Sequence, residues 1–217
     1  MKLFSFCIFL FVALPGFSQQ IPERAVCSVC AIQHGESQPE KVKAWSDYKE
    51  TRYYFCSDNC KKEFDADPEG FLPPVLPRPA SAFAVESLTG ETLTKESLKG
   101  KWVLIDFWAT WCKPCEKMMP DLHKLHADFS NRNFAVIGIS IDEGKDAYQK
   151  VKKFVEKRKI GYPIYLDVKE TPAWAAFRVK AIPAMFLMNP SGEIVAEWRG
   201  EVKYESVRLD VTFHLNK

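Results

Sequence analysis

Residues 108–120, which carry Cys112-Lys113-Pro114-Cys115, follow directly on the apolar run 102–107. A strand that ends in a Cys-x-x-Cys opening a helix is the working end of a thiol–disulfide exchanger. Cys112 would stand at the helix N-terminus, where unpaired backbone N–H groups and the macrodipole favour a thiolate over a thiol. Cys115, three residues on, lies on the same helix face and can attack a mixed disulfide formed at Cys112. Lys113 adds positive charge beside the nucleophile, and Pro114 suits a first helical turn, where its missing N–H is not needed. The same spacing can hold half of a zinc site. A zinc knuckle, however, needs neither a buried apolar strand before it nor an amphipathic helix after it, so the context favours redox chemistry.

Four more cysteines form a separate group. Cys27 and Cys30 make one pair, and Cys56 and Cys60 lie four apart after Tyr53-Tyr54-Phe55. The second pair suits a helix start that presents two sulfurs to one ion. Two ligands from a knuckle and two from a helix make a tetrahedral Cys₄ site. A unit this small cannot easily stabilise a core unaided, which makes a metal staple physically reasonable. Two alternatives stand beside it: His34 replacing one cysteine as ligand, and a disulfide-bonded mini-domain whose bridges cross between the two halves. Asp106 is a carboxylate inside an apolar strand, costly to bury unless it has a task; the plain reading is a strand-edge Asp facing water. His123 and His126 read as solvated helix residues, with a metal pair as the alternative.

Several elements must position these groups. Residues 1–18 combine a basic start, an apolar run and small residues at Gly16 and Ser18, the pattern of a cleaved secretory signal. The run is short for a membrane span, which takes about 20 residues, so the mature protein is expected not to span a membrane; retention of the signal would leave it tethered. The net charge of +2 offers no basic footprint for nucleic acid. The proline-rich stretch 73–79 reads as a semi-rigid linker between a first unit, 19–72, and a second, 80–217. The first unit is acidic and the second basic. Across the second unit the patterning predicts a hairpin at 82–93, strands at 102–107, 134–141, 162–166, 184–188 and 193–198, and helices at 113–129, 146–157, 172–177 and 204–215. Asn189-Pro190-Ser191-Gly192 marks the hairpin turn joining the last two strands. Strands alternating with helices indicate an α/β domain of three layers around a central mixed sheet.

That order, with Trp111-Cys112-Lys113-Pro114-Cys115 and the later Ile182-Pro183, resembles a thioredoxin fold. The leading hairpin, the run 116–122 after the cysteines and the run 136–142 resemble the exported TlpA/ResA-like thiol–disulfide oxidoreductases. The resemblance implies that Cys112 attacks, that Cys115 resolves, and that Pro183 is a cis-proline beside the active site. It also implies that the backbone at Ile182 pairs with substrate chain and that Asp106 accepts the proton of the resolving thiol. Many exported relatives carry Asn there, so this chain is the more thioredoxin-like. Trp108 and Trp111 are expected to shield the site and pack beneath it. The Pro-x-x-x-Thr-x-x-Cys signature of peroxiredoxins is absent, which disfavours peroxidase activity. In the first unit, the string 53–64 running on to Asp67-Pro68-Glu69-Gly70-Phe71 resembles the YHS/TRASH metal-binding modules, a small zinc-knuckle or treble-clef-like fold. Where many relatives have Cys-Gly-Met, this chain has Cys30-Ala31-Ile32; the missing thioether weakens a copper assignment.

Together these readings describe an exported, periplasmic or extracytoplasmic disulfide oxidoreductase acting on protein thiol or disulfide substrates, among them proteins of cytochrome c biogenesis. It would be served by a membrane or exported electron donor, with zinc or copper(I) on Cys27, Cys30, Cys56 and Cys60 and no cofactor in the redox domain. The rivals are a metallochaperone or metal sensor whose Cys112/Cys115 pair only keeps ligands reduced, and an oxidase that donates disulfides.

Overall fold

The computed structural model describes residues 20–35, 38–167 and 170–216. The expected signal, 1–18, lies outside the described residues. The first unit comprises β1 (Arg24–Ala25), α1 (Ser28–Gln33), β2 (Glu40–Lys41), β3 (Ala44–Tyr48), β4 (Thr51–Phe55) and α2 (Asp58–Ala66), followed by a 3₁₀ turn at Pro68–Phe71. β1 pairs with β2 and β3 with β4, both antiparallel. Ser57 caps α2 by accepting the Cys60 N–H. Phe64 is fully buried, with the rings of Tyr53 and Phe55 at 5.0 and 5.1 Å. Burial of one such ring contributes roughly 1.5–3 kcal/mol. With few side chains of this kind to set against the ordering of the whole unit, an additional staple has clear value.

The second unit runs β5 (Arg78–Pro79), β6 (Ala84–Ser87), β7 (Thr92–Thr94), β8 (Trp102–Trp108), α3 (Lys113–Phe129), β9 (Phe134–Ser140), α4 (Ala147–Arg158), β10 (Ile164–Asp167), α5 (Ala173–Ala176), β11 (Ala184–Met188), β12 (Glu193–Arg199) and α6 (Tyr204–Leu215). Among the described residues eight strands form one sheet in the order β5-β12-β11-β8-β9-β10-β6-β7. The β8–β9 and β9–β10 pairs are parallel and the others antiparallel, which makes the sheet mixed, as in a thioredoxin fold. α3 and α6 begin and end at the residues expected from the sequence. The β11–β12 turn closes on Asn189, whose side-chain oxygen accepts from the N–H groups of Ser191 and Glu193, while Gly192 takes φ +82°.

Strand alternation divides the core. Leu104 and Trp108 of β8 pack with Cys115, Met118, Leu122 and Leu125 of α3 on one face. Val103, Ile105 and Phe107 pack with Phe83, Phe177 and Phe186 on the other. The proline-rich run does not stay a free spacer along its length: Arg78 and Pro79 pair with Ile194 and Glu193 as an edge strand, a position proline tolerates. The two units also touch. Lys180 Nζ lies 2.8 Å from Asp67 Oδ2, and Arg199 Nη1 donates to the Gly70 carbonyl at 2.9 Å. These contacts join the acidic unit to the basic one.

Candidate redox centre and candidate metal centre

β8 delivers its last residue, Trp108, to a short loop, and Cys112 then caps α3 in an extended conformation. Cys112 and Cys115 are joined by a disulfide, and the Cys115 N–H points at Cys112 Sγ at 3.2 Å. This N–H is one of the donors that a helix start leaves unpaired, and it would stabilise a thiolate at Cys112 after reduction. The loop is clamped by a residue to which the sequence assigned no role. Asp142 accepts from the Thr110 N–H at 2.8 Å, from the Thr110 hydroxyl at 2.6 Å and from the Ser140 hydroxyl at 2.8 Å. The available signal was the pair Ser140 and Asp142 directly after an apolar strand, where a short polar side chain turns back on the backbone.

The two tryptophans separate. Trp108 is fully buried beneath the site, whereas Trp111 is 67% exposed. Trp111 therefore offers an apolar surface next to Cys112, which is itself only 6% exposed. The Ile182–Pro183 bond is cis, in agreement with the resemblance. Trp111 and Ile182, each immediately preceding one of these landmarks, line one cleft.

Asp106 is 1% exposed, in a strand flanked by β11 and β9, so it does not lie at a sheet edge. By alternation it shares the face of Leu104 and Trp108, against which α3 and Cys115 pack. Burial pushes its carboxyl up to about 7, while the nearby Tyr162 hydroxyl pulls the other way. Asp106 Oδ2, Trp108 Nε1 and Tyr162 Oη are buried without a hydrogen-bond partner. Trp108 and Tyr162 lie against Gly138, the register partner of Asp106, where an added Cβ would stand 3.1 Å from both Trp108 Nε1 and the Tyr162 ring. Tyr162 carried no distinguishing mark in the sequence. His123 is exposed as expected, but His126 is half-buried and its Nδ1 accepts the Val136 N–H at 3.1 Å.

In the first unit the Sγ atoms of Cys27, Cys30, Cys56 and Cys60 all lie within 4.8 Å of one another. Cys30 Sγ is 3.4 Å from Cys56 and 3.9 Å from Cys60, and Cys56 is 3.7 Å from Cys60. None of the four is disulfide-bonded. Four sulfurs around one tetrahedral ion at about 2.3 Å would stand about 3.8 Å apart, so the donor set fits a metal such as zinc or copper(I). Cys27 caps α1 and Cys30 lies in its first turn; Cys56 and Cys60 flank the cap of α2. Burial pushes the Cys30 and Cys56 thiols up, Cys56 to about 12. Burial raises Cys27 too, but the backbone N–H groups of Cys30, Cys56 and Val29 outweigh it and leave Cys27 below the ordinary thiol value. Crowded sulfurs of this kind are costly to ionise together without a cation, and a cation removes that cost.

Residues 77–197 match the AhpC/TSA family, more than half of the chain. The chain belongs to the AhpC/TSA family. Residues 37–75 match the YHS domain, so Cys56 and Cys60 fall within that match while Cys27 and Cys30 precede it; the folded structure brings the four together. The chain is 34% identical over 128 residues to the thiol-disulfide oxidoreductase ResA of Bacillus cereus, covering 59% of this chain and 72% of that protein. Among solved structures it resembles the thioredoxin domain of a thiol-disulfide oxidoreductase from Bacteroides vulgatus, with 30% identity and TM-score 0.55, covering 64% of this chain and 99% of that one. It also resembles a thiol:disulfide interchange protein of the thioredoxin family from Chlorobium tepidum TLS, with 27% identity and TM-score 0.56, covering 66% and 99%. The second unit is thus a thioredoxin-fold thiol–disulfide oxidoreductase of ResA type, joined to a YHS-like unit with a cysteine cluster able to hold a metal. Among the described residues no helix is long and apolar enough to cross a membrane.

Proposed function

We propose that this protein works outside the cytoplasm, reducing disulfides in proteins whose cysteines must be thiols before they take up metal or haem. In this reading residues 1–18 direct export, 19–72 form the metal module, 73–79 the linker and 80–217 the redox domain. The observation that carries the reading is Cys112 capping α3, bonded to Cys115, with the buried Asp106 on the face that α3 covers.

The cycle starts from the dithiol. The Cys112 thiolate attacks one sulfur of a client disulfide; that S–S bond breaks, a Cys112–client bond forms, and the departing client sulfur takes up a proton. Asp106, as carboxylate, accepts the Cys115 proton, and the Cys115 thiolate attacks Cys112 Sγ. The second client sulfur leaves as a thiolate and is protonated, so two electrons have passed to the client. A carboxyl titrating near 7 can both take and return that proton. The cis-Pro183 loop positions the client chain beside Cys112. An external dithiol protein, exported or membrane-held, restores Cys112 and Cys115.

The metal module would hold one zinc or copper(I) on Cys27, Cys30, Cys56 and Cys60; the bound ion would fold that unit and keep its sulfurs deprotonated. The preformed four-sulfur cluster also favours a second reading, a metallochaperone or sensor whose redox domain maintains ligand thiols. Dithiol-driven disulfide reduction by the full chain distinguishes them. Cys112→Ser should abolish turnover, and Cys115→Ser should accumulate a mixed disulfide that mass spectrometry detects. Undiminished turnover in Cys112→Ser would sink the oxidoreductase reading.

A further inference from the structure

The cleft beside the disulfide is not built from the redox domain alone. It measures about 420 Å³ and its floor is Trp111, Ile141, Trp174 and Ile182, but Gln33 and His34 of the YHS-like unit line it as well. Both residues stand at the end of α1, which Cys27 caps and which holds Cys30 in its first turn, so this wall is carried by the element that places two of the four sulfurs. Gln33 is fixed from behind, donating to Glu63 on α2 at 2.6 Å.

The unit is seated by close contacts rather than held only by its linker. The 3₁₀ turn Pro68–Phe71 lies against the segment that leads to cis-Pro183: Lys180 pairs with Asp67 and sits 5.0 Å from the centre of the Phe71 ring. Arg199, bonded to the Gly70 carbonyl, is itself held by the buried carboxylate of Glu197. A side chain at Gly70 would have to move two of these partners. A Cβ at Gly70 would stand 2.4 Å from Lys180 Cε and 2.6 Å from Asp67 Oδ2.

From this geometry we infer that the YHS-like unit is one wall of the client-binding cleft and takes part in choosing the client. The inference rests on the oxidoreductase reading above. The occupant is fixed by continuity with the redox site. Trp111 immediately precedes Cys112, and Ile182 immediately precedes Pro183. A client joined to Cys112 through its own cysteine therefore lays the residues next to that cysteine into this cleft. Trp111 and Trp174 are both exposed there, and exposed aromatic surface beside a reactive group favours a large apolar side chain. Lys180 is committed to Asp67, which leaves Gln33 and His34 as polar partners for client backbone along one rim. The partner is thus an extended protein segment bearing a cysteine with an aromatic or large aliphatic neighbour.

The test uses the full chain and two short peptides, each closed by one disulfide, with Phe and Leu beside the cysteine in one and Ser in the other. The readout is the ratio of their kcat/KM values with dithiothreitol as electron source. The native chain should prefer the apolar peptide by about tenfold or more. That ratio should fall towards unity in Gln33→Ala/His34→Ala, which removes the backbone partners that hold the client segment against Trp111 and Trp174 together with the Gln33–Glu63 bond, and in Gly70→Val, whose side chain must displace Lys180 and the Asp67 carboxylate. Should Gly70→Val fail to fold, the rim variant decides alone. An unchanged preference in the rim variant would overturn the inference and leave the redox assignment standing. Absence of Cys112-dependent turnover with either peptide would instead remove the reading beneath it.

Discussion

Two Cys-x-x-Cys pairs in this chain have nearly the same local geometry and different sulfur partners. Cys27 and Cys112 each cap a helix in an extended conformation, with Cys30 and Cys115 three residues later in the first turn. At the second pair the sulfurs are bonded to each other. At the first they are not, and Cys56 and Cys60 complete a four-sulfur cluster. The helix start is therefore not what distinguishes a bonded pair from one that stays unbonded. The surroundings do: a buried carboxylate on the face behind Cys115, against two more thiols around Cys30.

The largest expected effect tests the ligand side of this contrast. Cys30→Ser removes the sulfur lying within 4 Å of both Cys56 and Cys60. Metal content should drop from about one equivalent per chain to near zero, and the unit should lose its cooperative unfolding transition. The reduction potential of Cys112/Cys115 should stay where it was. Elemental analysis and a redox titration check both, and a retained equivalent of metal would dissolve the contrast.

Next in size is Asp106→Asn, which removes the carboxylate that has no counterpart in the cysteine cluster. Folded Asp106 titrates near 7 and the unfolded residue near 4. The unfolded chain therefore loses its proton first, and stability from this group falls as pH rises from about 4 to about 7. Above that window the buried charge costs up to about 4 kcal/mol. Asp106→Asn should raise the melting temperature at pH 8 and leave it nearly unchanged at pH 4. Turnover should fall by about a hundredfold and lose its inflection near neutral pH. Equal melting temperatures at pH 8 would show that Asp106 is not buried as a charge.

The smallest effect sharpens the same side. Tyr162 opposes the rise at Asp106, so Tyr162→Phe should move the neutral inflection of the pH–rate profile upward while the plateau rate is largely kept. A profile that does not move would show that the hydroxyl has no hold on the carboxylate.

Much of this was legible before folding. The bounds of α3 followed from apolar spacing and the cap at Cys112, because helix periodicity and caps are local properties. The Asn189–Gly192 turn was legible for the same reason. Less legible were the residues whose role comes from the opposite side of a strand pair. Asp142 reaches back to Thr110 across 32 positions of sequence, and Tyr162 meets Asp106 only because β10 adds beside β9. His126 read as solvated, but its ring caps the Val136 N–H, a contact set by how α3 lies on β9. The linker looked like a spacer because four prolines favour an extended chain; the edge of the sheet then captured Arg78 and Pro79.

The sequence by itself determined the two cysteine groups, the helix that Cys112 caps and the alternation that builds a mixed sheet, since propensity, capping and periodicity act within a few residues; the helix that Cys27 caps stands where a knuckle was expected. Tertiary structure alone decided that Cys27 and Cys30 meet Cys56 and Cys60, that Asp106 lies behind the redox helix, and that Gln33 and His34 stand in the cleft beside Trp111. Each of those outcomes needs chain segments far apart in sequence to be packed within a few ångströms. Side-chain packing and the contacts of Lys180 and Arg199 with the Asp67–Gly70 turn fix that arrangement, and no short-range pattern encodes it.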